Sequence, residues 1–244
     1  MENNDIELRS NINDYITSAV KGMVGMVPFA GSLLAEIAGT IIPNQRLDRI
    51  TQFAVLLDER ISQLELEHDY IRSQLSNEHF TDLMEEGMRQ AARAISKERK
   101  EYIANIIANS LNSEDISFEE SKHLLRILGE LSDIEIIWLR FYAYPFMGGD
   151  EEFRSKHENI LSPVVATLGS SQSVLDGETL QKSHKEHLSR LGLLQARYDF
   201  DKKTGQLKVD GFGNYASLKV RSYEITQLGK LLLREIGIYP DSLP

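Results

Sequence analysis

The chain has 244 residues, no cysteine, and 27 Lys+Arg against 37 Asp+Glu, a formal charge of -10. That length holds one large or two modest domains. An apolar fraction of 41% with 26% charged residues reads as a globular chain rather than a disordered one, and the missing thiols exclude disulfides, thiolate metal sites and cysteine nucleophiles.

The charge is uneven. Thr179–Arg234 holds 11 Lys+Arg and 5 Asp+Glu, while the rest holds 16 and 32. A basic C-terminal quarter is joined to an acidic body.

The N-terminus, MENNDIELRS, is acidic and polar, with no basic region ahead of an apolar core. It is not a secretory signal, so the expected location is cytoplasmic, or peripheral to the membrane if the next segment meets lipid. Ile6–Val20 reads as a first helix. Gly22–Ala35 then carries no charge at all. Fourteen residues are too few for a spanning helix, which needs about 20, and Pro28 divides the run. Extended through Glu36 to Ile42 the segment reaches 21 residues. Two readings follow: a packed helical hairpin, or conditional insertion into a membrane or partner through Val24, Val27, Phe29, Leu33 and Leu34. Residues 1–43 form the first expected division, an apolar N-terminal helical segment.

Asn44 suits an N-cap. From Leu47 the residues Leu47, Ile50, Ala54, Leu57, Ile61, Leu64, His68, Ile71 and Leu75 recur in steps of three and four. That is a coiled-coil seam, and a helix over 44–76 would be roughly 50 Å long at about 1.5 Å per residue. Its apolar members, Leu47, Ile50, Leu57, Ile61, Leu64, Ile71 and Leu75, are the expected hairpin or oligomer seam. A second stripe runs Phe80, Leu83, Met84, Met88, Ala91, Ala92, Ile95, then Tyr102, Ile103, Ile106, Ile107 and Leu111. The polar run Ser96–Glu101 allows one helix or two with a break near Ser96. Antiparallel packing of the two stripes gives a long helical hairpin.

Ser117–Glu120 and Ser132–Glu135 both have capping-box spacing and open helices over 118–131 and 133–144. The second is apolar nearly all round and reads as a core helix. Residues 44–131 are thus the hairpin and helical middle, and 132–244 the last division. Within it, about 145–177 reads as a long internal loop with a short helix near 153–161. Thr179–Leu191 is helical, and Gly192 ends it. Leu193–Phe200 alternates as a strand. Asp201–Gly205 is a hairpin turn, Gln206–Asp210 a return strand and Ala216–Ile225 a third. Thr226 caps a final helix over 227–236.

Helix, LGLL, β-hairpin, strand and then YEITQLGKLLLREIG resembles a winged helix-turn-helix module, in which a Leu-Thr-Pro-Leu-Gly-like turn opens the last helix. Here that turn is Ile225-Thr226-Gln227-Leu228-Gly229. The resemblance covers roughly the last 110 residues and implies a recognition-type helix at 179–191. The whole layout also resembles an uncharacterised class of bacterial proteins found among phage-defence genes. The expected fold class is therefore mainly α: an apolar N-terminal helical segment, a long antiparallel coiled-coil hairpin, and a C-terminal winged-helix-like α+β module.

If that module meets nucleic acid or an acidic partner, Lys182, Lys185, Arg190, Arg197, Lys202, Lys203 and Lys208 carry the contacts. Gln181, Lys185 and Arg190 would face base edges. The alternative is protein docking through the same basic face. His184 and His187 stand at i, i+3 without an evident third ligand, so no metal is expected. Asp199-x-Asp201 fails as a calcium loop, because Lys203 stands where an acid is needed. No phosphate-binding loop, dinucleotide fingerprint or nucleophile elbow is present. No catalytic residue and no cofactor is therefore expected. The functional expectation is a non-enzymatic, self-associating interaction protein, a sensor or adaptor in anti-phage defence. A DNA-binding regulator is the first alternative. A membrane-active effector working through 22–42 is the second.

Overall fold

The structure, a computed structural model, describes residues 47–239 except 65, 67, 75, 113–115, 145–149, 168, 202 and 211–216. The expectations for the N-terminal segment, including Val24, Val27, Phe29, Leu33 and Leu34, lie outside the described residues. What is described is mainly helical, with ten helices and small antiparallel β structure near the C-terminal end. It divides into two compact units that part between Glu130 and Leu131, with Glu235–Gly237 grouped in the first.

The first unit holds α1 (Leu47–Ser62), α2 (His68–Gln74), α3 (Glu78–Arg93), α4 (Lys97–Asn112) and α5 (Phe118–Glu130). α1 packs on α4 and α3, and α5 packs on α3 and α4. The core takes Ile50, Phe53, Leu57 and Ile61 from α1, Phe80, Leu83, Met84 and Met88 from α3, Ile103, Ile106 and Ile107 from α4, and Leu124, Leu125 and Leu128 from α5. Every one of these follows the helical period, so each helix turns one apolar stripe inward. Asn77 caps α3 by accepting from the His79 and Phe80 amides. The expected reciprocal box forms at Ser117 and Glu120, at 2.8 and 3.2 Å.

The 44–76 rod does not form as one helix. α1 stops at Ser62, a turn follows at Gln63–Leu64, and α2 begins at His68. The reason lies in its neighbours. α3 and α4 are 16 residues each, about 24 Å at the α-helical rise, so a 50 Å rod would carry half its stripe past anything that could cover it. Ile50, Leu57, Ile61 and Ile71 are buried within the unit, whereas Leu64, beside the break, stays partly exposed. The second stripe is likewise two helices. They break at Ala94–Ser96, where the Ser96 hydroxyl takes up the Arg99 amide and Ile95 is left 85% exposed.

The second unit holds α6 (Asp133–Ala143), α7 (Glu151–Lys156), α8 (Glu158–Leu161), α9 (Gln172–Arg190), β1 (Leu194–Tyr198), β2 (Val209–Asp210), β3 (Ser217–Leu218), β4 (Val220–Ile225) and α10 (Gln227–Glu235). α6 packs on α8, α9 and β4, and α9 also packs on β1. Asp150 is held bidentately by Arg140 at 3.0 and 3.0 Å, and that guanidinium lies 4.3 Å over the Phe153 ring. The short helix expected near 153–161 is present as α7 and α8, and residues 163–167 after it are in neither helix nor strand. α9 starts seven residues earlier than expected, with Ser171 at its N-cap position but making no side-chain cap bond. The Ser- and Gly-containing first turns conceal it in the sequence, but Gln172 and Asp176 bond across one turn, and Gln181 ties the helix to the segment before it.

β1 pairs antiparallel with β4, Leu194 opposite Ile225, with a register shift at Arg197/Tyr198. It does not pair along its length with the expected return strand. Beyond Tyr198 the chain continues as a narrow ribbon in which Phe200 bridges Leu207 and Val209 stands opposite Leu218. At its tip Asp201 Oδ1 accepts from the Lys203 and Thr204 amides, and Gly205 takes a positive φ of 71°.

Candidate functional site

The face between α6 and α9 brings two histidines onto one carboxylate. Ser132 caps α6 and forms a full box with Glu135. Glu135 Oε2 accepts the Ser132 amide at 2.7 Å and its hydroxyl at 2.9 Å. That spends one carboxylate oxygen and points the other at α9. There Oε1 meets His187 Nδ1 at 2.7 Å and His184 Nδ1 at 3.5 Å. Glu135 is only 5% exposed. Burial acts to raise its pKa, but bonds from the Ser132 amide, His187 and the Ser132 hydroxyl outweigh it and hold the carboxyl below its ordinary range.

One turn along α6, the Trp138 ring lies 4.2 Å beneath the Lys185 ammonium, a cation–π contact. Burial lowers the Lys185 pKa. Tyr142 and Tyr223 stack edge to face at 6.1 Å. Tyr142 is pushed up to about 12 by burial and then by Tyr223. This arrangement fastens α9 to α6 by charge and ring contact. Among the described residues no group of His, Asp or Glu is arranged to hold a metal ion, and no described helix is long and apolar enough to cross a membrane.

Several of the residues expected to meet a partner have partners within the second unit. The Gln181 amide nitrogen donates to the Ile160 and Ser162 carbonyls, and its oxygen accepts from the Val164 amide. Lys185 is packed on Trp138. Arg197 pairs with Glu224 at 2.8 Å, Lys208 with Asp199 at 3.2 Å, and Lys182 stands 3.8 Å from Glu186. Arg190 and Lys203 are exposed on α9 and the ribbon tip. Lys202, and the side chains of Leu47 and Leu75, lie outside the described residues.

Sequence reasoning missed Glu135 as a partner of the two histidines. Its spacing from Ser132 signalled a helix start and nothing more. It also missed an apolar strip on the ribbon: Tyr198 is 40% exposed, Phe200 55%, Leu207 42%, Val209 62% and Leu218 43%. The period-two alternation through Leu194, Ala196, Tyr198 and Phe200 was the available signal.

Comparison with protein-family models, with curated proteins and with solved structures finds no match to this chain.

Proposed function

We propose that this chain is a non-enzymatic interaction protein whose second unit is a winged-helix-type docking module. By the layout it resembles, it serves as a sensor or adaptor in bacterial defence. The order of elements supports the module: α6, the short α7 and α8, the long α9, the β1–β4 hairpin and α10.

One observation favours docking over base reading. Of the three α9 residues that would face base edges, Gln181 is bonded on both sides of its amide to residues 160–164, and Lys185 is committed to Trp138. Releasing either would leave polar or ring partners unsatisfied. Only Arg190 remains exposed, and the basic ribbon residues Arg197 and Lys208 are paired with carboxylates.

The test is a titration of fluorescent duplex DNA at low and physiological salt. Weak binding that disappears as salt rises is the expected result, since a few phosphate contacts release few counterions. Tight binding at physiological salt, reduced at particular base positions by Lys185→Ala, would replace this reading with the DNA-regulator one.

A further inference from the structure

We infer that the apolar face of the wing ribbon is a contact between two copies of this chain, joined face to face across a two-fold axis. The inference rests on the docking reading above and supplies its partner.

The face is defined by register. Cross-strand partners share a face, and residues two apart along a strand share it too. Phe200 bridges Leu207, Val209 is opposite Leu218, and Tyr198 is opposite Val220. Tyr198, Phe200, Leu207, Val209 and Leu218 therefore lie on one side. The alternate positions Asp199, Asp201, Lys208 and Lys219 fall on the other, where Lys208 pairs with Asp199. Followed back along β1, the apolar side is the side that faces the core. Leu194 is 1% exposed, and exposure rises to 55% by Phe200. The sequence thus continues a core-type pattern along strands that run out past their helices.

Three features select a second copy. First, the side carries no charge among these five positions, so it has nothing with which to choose a charged partner. An uncharged side can meet its own copy without a like-charge contact, which an isologous two-fold contact requires. Second, residues 198–219 hold 4 Lys against 3 Asp. The ribbon is near neutral in a chain of charge -10, so two ribbons meet with little like-charge repulsion. Third, the area is modest. Partial exposure of two aromatic and three aliphatic side chains leaves roughly 400 Å² per copy at about 150–250 Å² for a whole aromatic. A pair then buries about 800 Å², below the ~1,200 Å² of a stable complex. That size fits a reversible dimer and a patch that a single copy keeps in water. Two antiparallel ribbons stacked about 10 Å apart would interdigitate these side chains.

The experiment is sedimentation velocity on the full chain from low to high micromolar concentration, with duplex DNA added in a parallel cell. The sedimentation coefficient is expected to rise with concentration toward that of a dimer. Phe200→Asp with Val209→Asp should abolish the rise, and Lys219→Ser on the opposite side should leave it. Because the chain has no cysteine, Val209→Cys should give a disulfide-linked dimer under mild oxidation, whereas Lys219→Cys should not. The substituted side chains are exposed, so an unchanged circular dichroism spectrum will show that the fold survives. A wild-type chain that stays monomeric throughout, or a dimer indifferent to the double substitution, overturns the inference. If the monomeric chain also ignores DNA, the inference alone fails. If it binds duplex tightly at physiological salt, the docking reading fails with it.

Discussion

Glu135 meets two demands with two oxygens, and this division of labour makes it the most informative single residue. Oε2 completes the α6 capping box while Oε1 holds His187 and His184. Glu135→Gln keeps the shape but removes the charge, and an amide cannot accept from both sides. We expect a loss of about 1–3 kcal/mol at neutral pH, the range for leaving buried polar partners unmade. The bonds from Ser132 and His187 hold the folded carboxyl below the ordinary glutamate range. Its ionised form is therefore favoured in the folded state. The stability this gives is complete above the unfolded value and is lost as pH falls below the ordinary glutamate range toward the folded value. Urea midpoints should fall with acidification in that window for the wild type and less so for Glu135→Gln. Trp138 is the single tryptophan and is buried beside the cluster, so its fluorescence reads this unit. Equal pH slopes for the two proteins would remove the assigned role.

Among the elements, the Ile225–Gly229 turn shows why a resemblance motif has the residues it has. The Thr226 hydroxyl donates to the Gly192 carbonyl at 2.6 Å and accepts the Gly229 amide at 3.1 Å, so it caps α10 and pins it to the end of α9. A Cβ at position 229 would lie 2.5 Å from the Leu193 carbonyl oxygen. Backbone cannot yield there as a side-chain tip can. Gly229→Ala should cost about 1–3 kcal/mol or more, the scale of overpacking, and thermal unfolding will measure it. α1 supplies a paired test of the helix break. Leu57→Ala, at 0% exposure, should cost about 2–5 kcal/mol, whereas Leu64→Ala should cost well under half of that. Equal losses would restore the continuous rod.

At the scale of the whole molecule, the separation of a basic C-terminal quarter from an acidic body distinguishes apolar association from electrostatic association. Charged contacts weaken once the Debye length shrinks below about 10 Å near 0.1 M salt; burial of Tyr198, Phe200 and Val209 does not depend on it. Raising sodium chloride well above that concentration should leave the dimer fraction unchanged or higher, as measured by light scattering. A dimer that dissociates with salt would point to a charged contact elsewhere on the chain.

Local chemistry by itself determined much of this protein. The capping boxes at Ser117 and Ser132, the apolar stripes, the turn at Asp201–Gly205 and the Thr226 cap are all decided within a few residues, and each was legible because its partner lies three or four positions away. Tertiary structure decided the rest. Whether the seam from Leu47 to Leu75 ran as one rod depended on the length of α3 and α4, which no periodicity in 47–75 records. The pairing of β1 with β4, rather than with the nearer return segment, depended on α6 and α9 covering one end of the strands and not the other. Glu135 met His184 and His187 across 49 and 52 residues of chain, a distance at which spacing carries no signal. The exposure of the ribbon's apolar side was decided by where the helices stop, because a period-two pattern specifies a face and not what covers it.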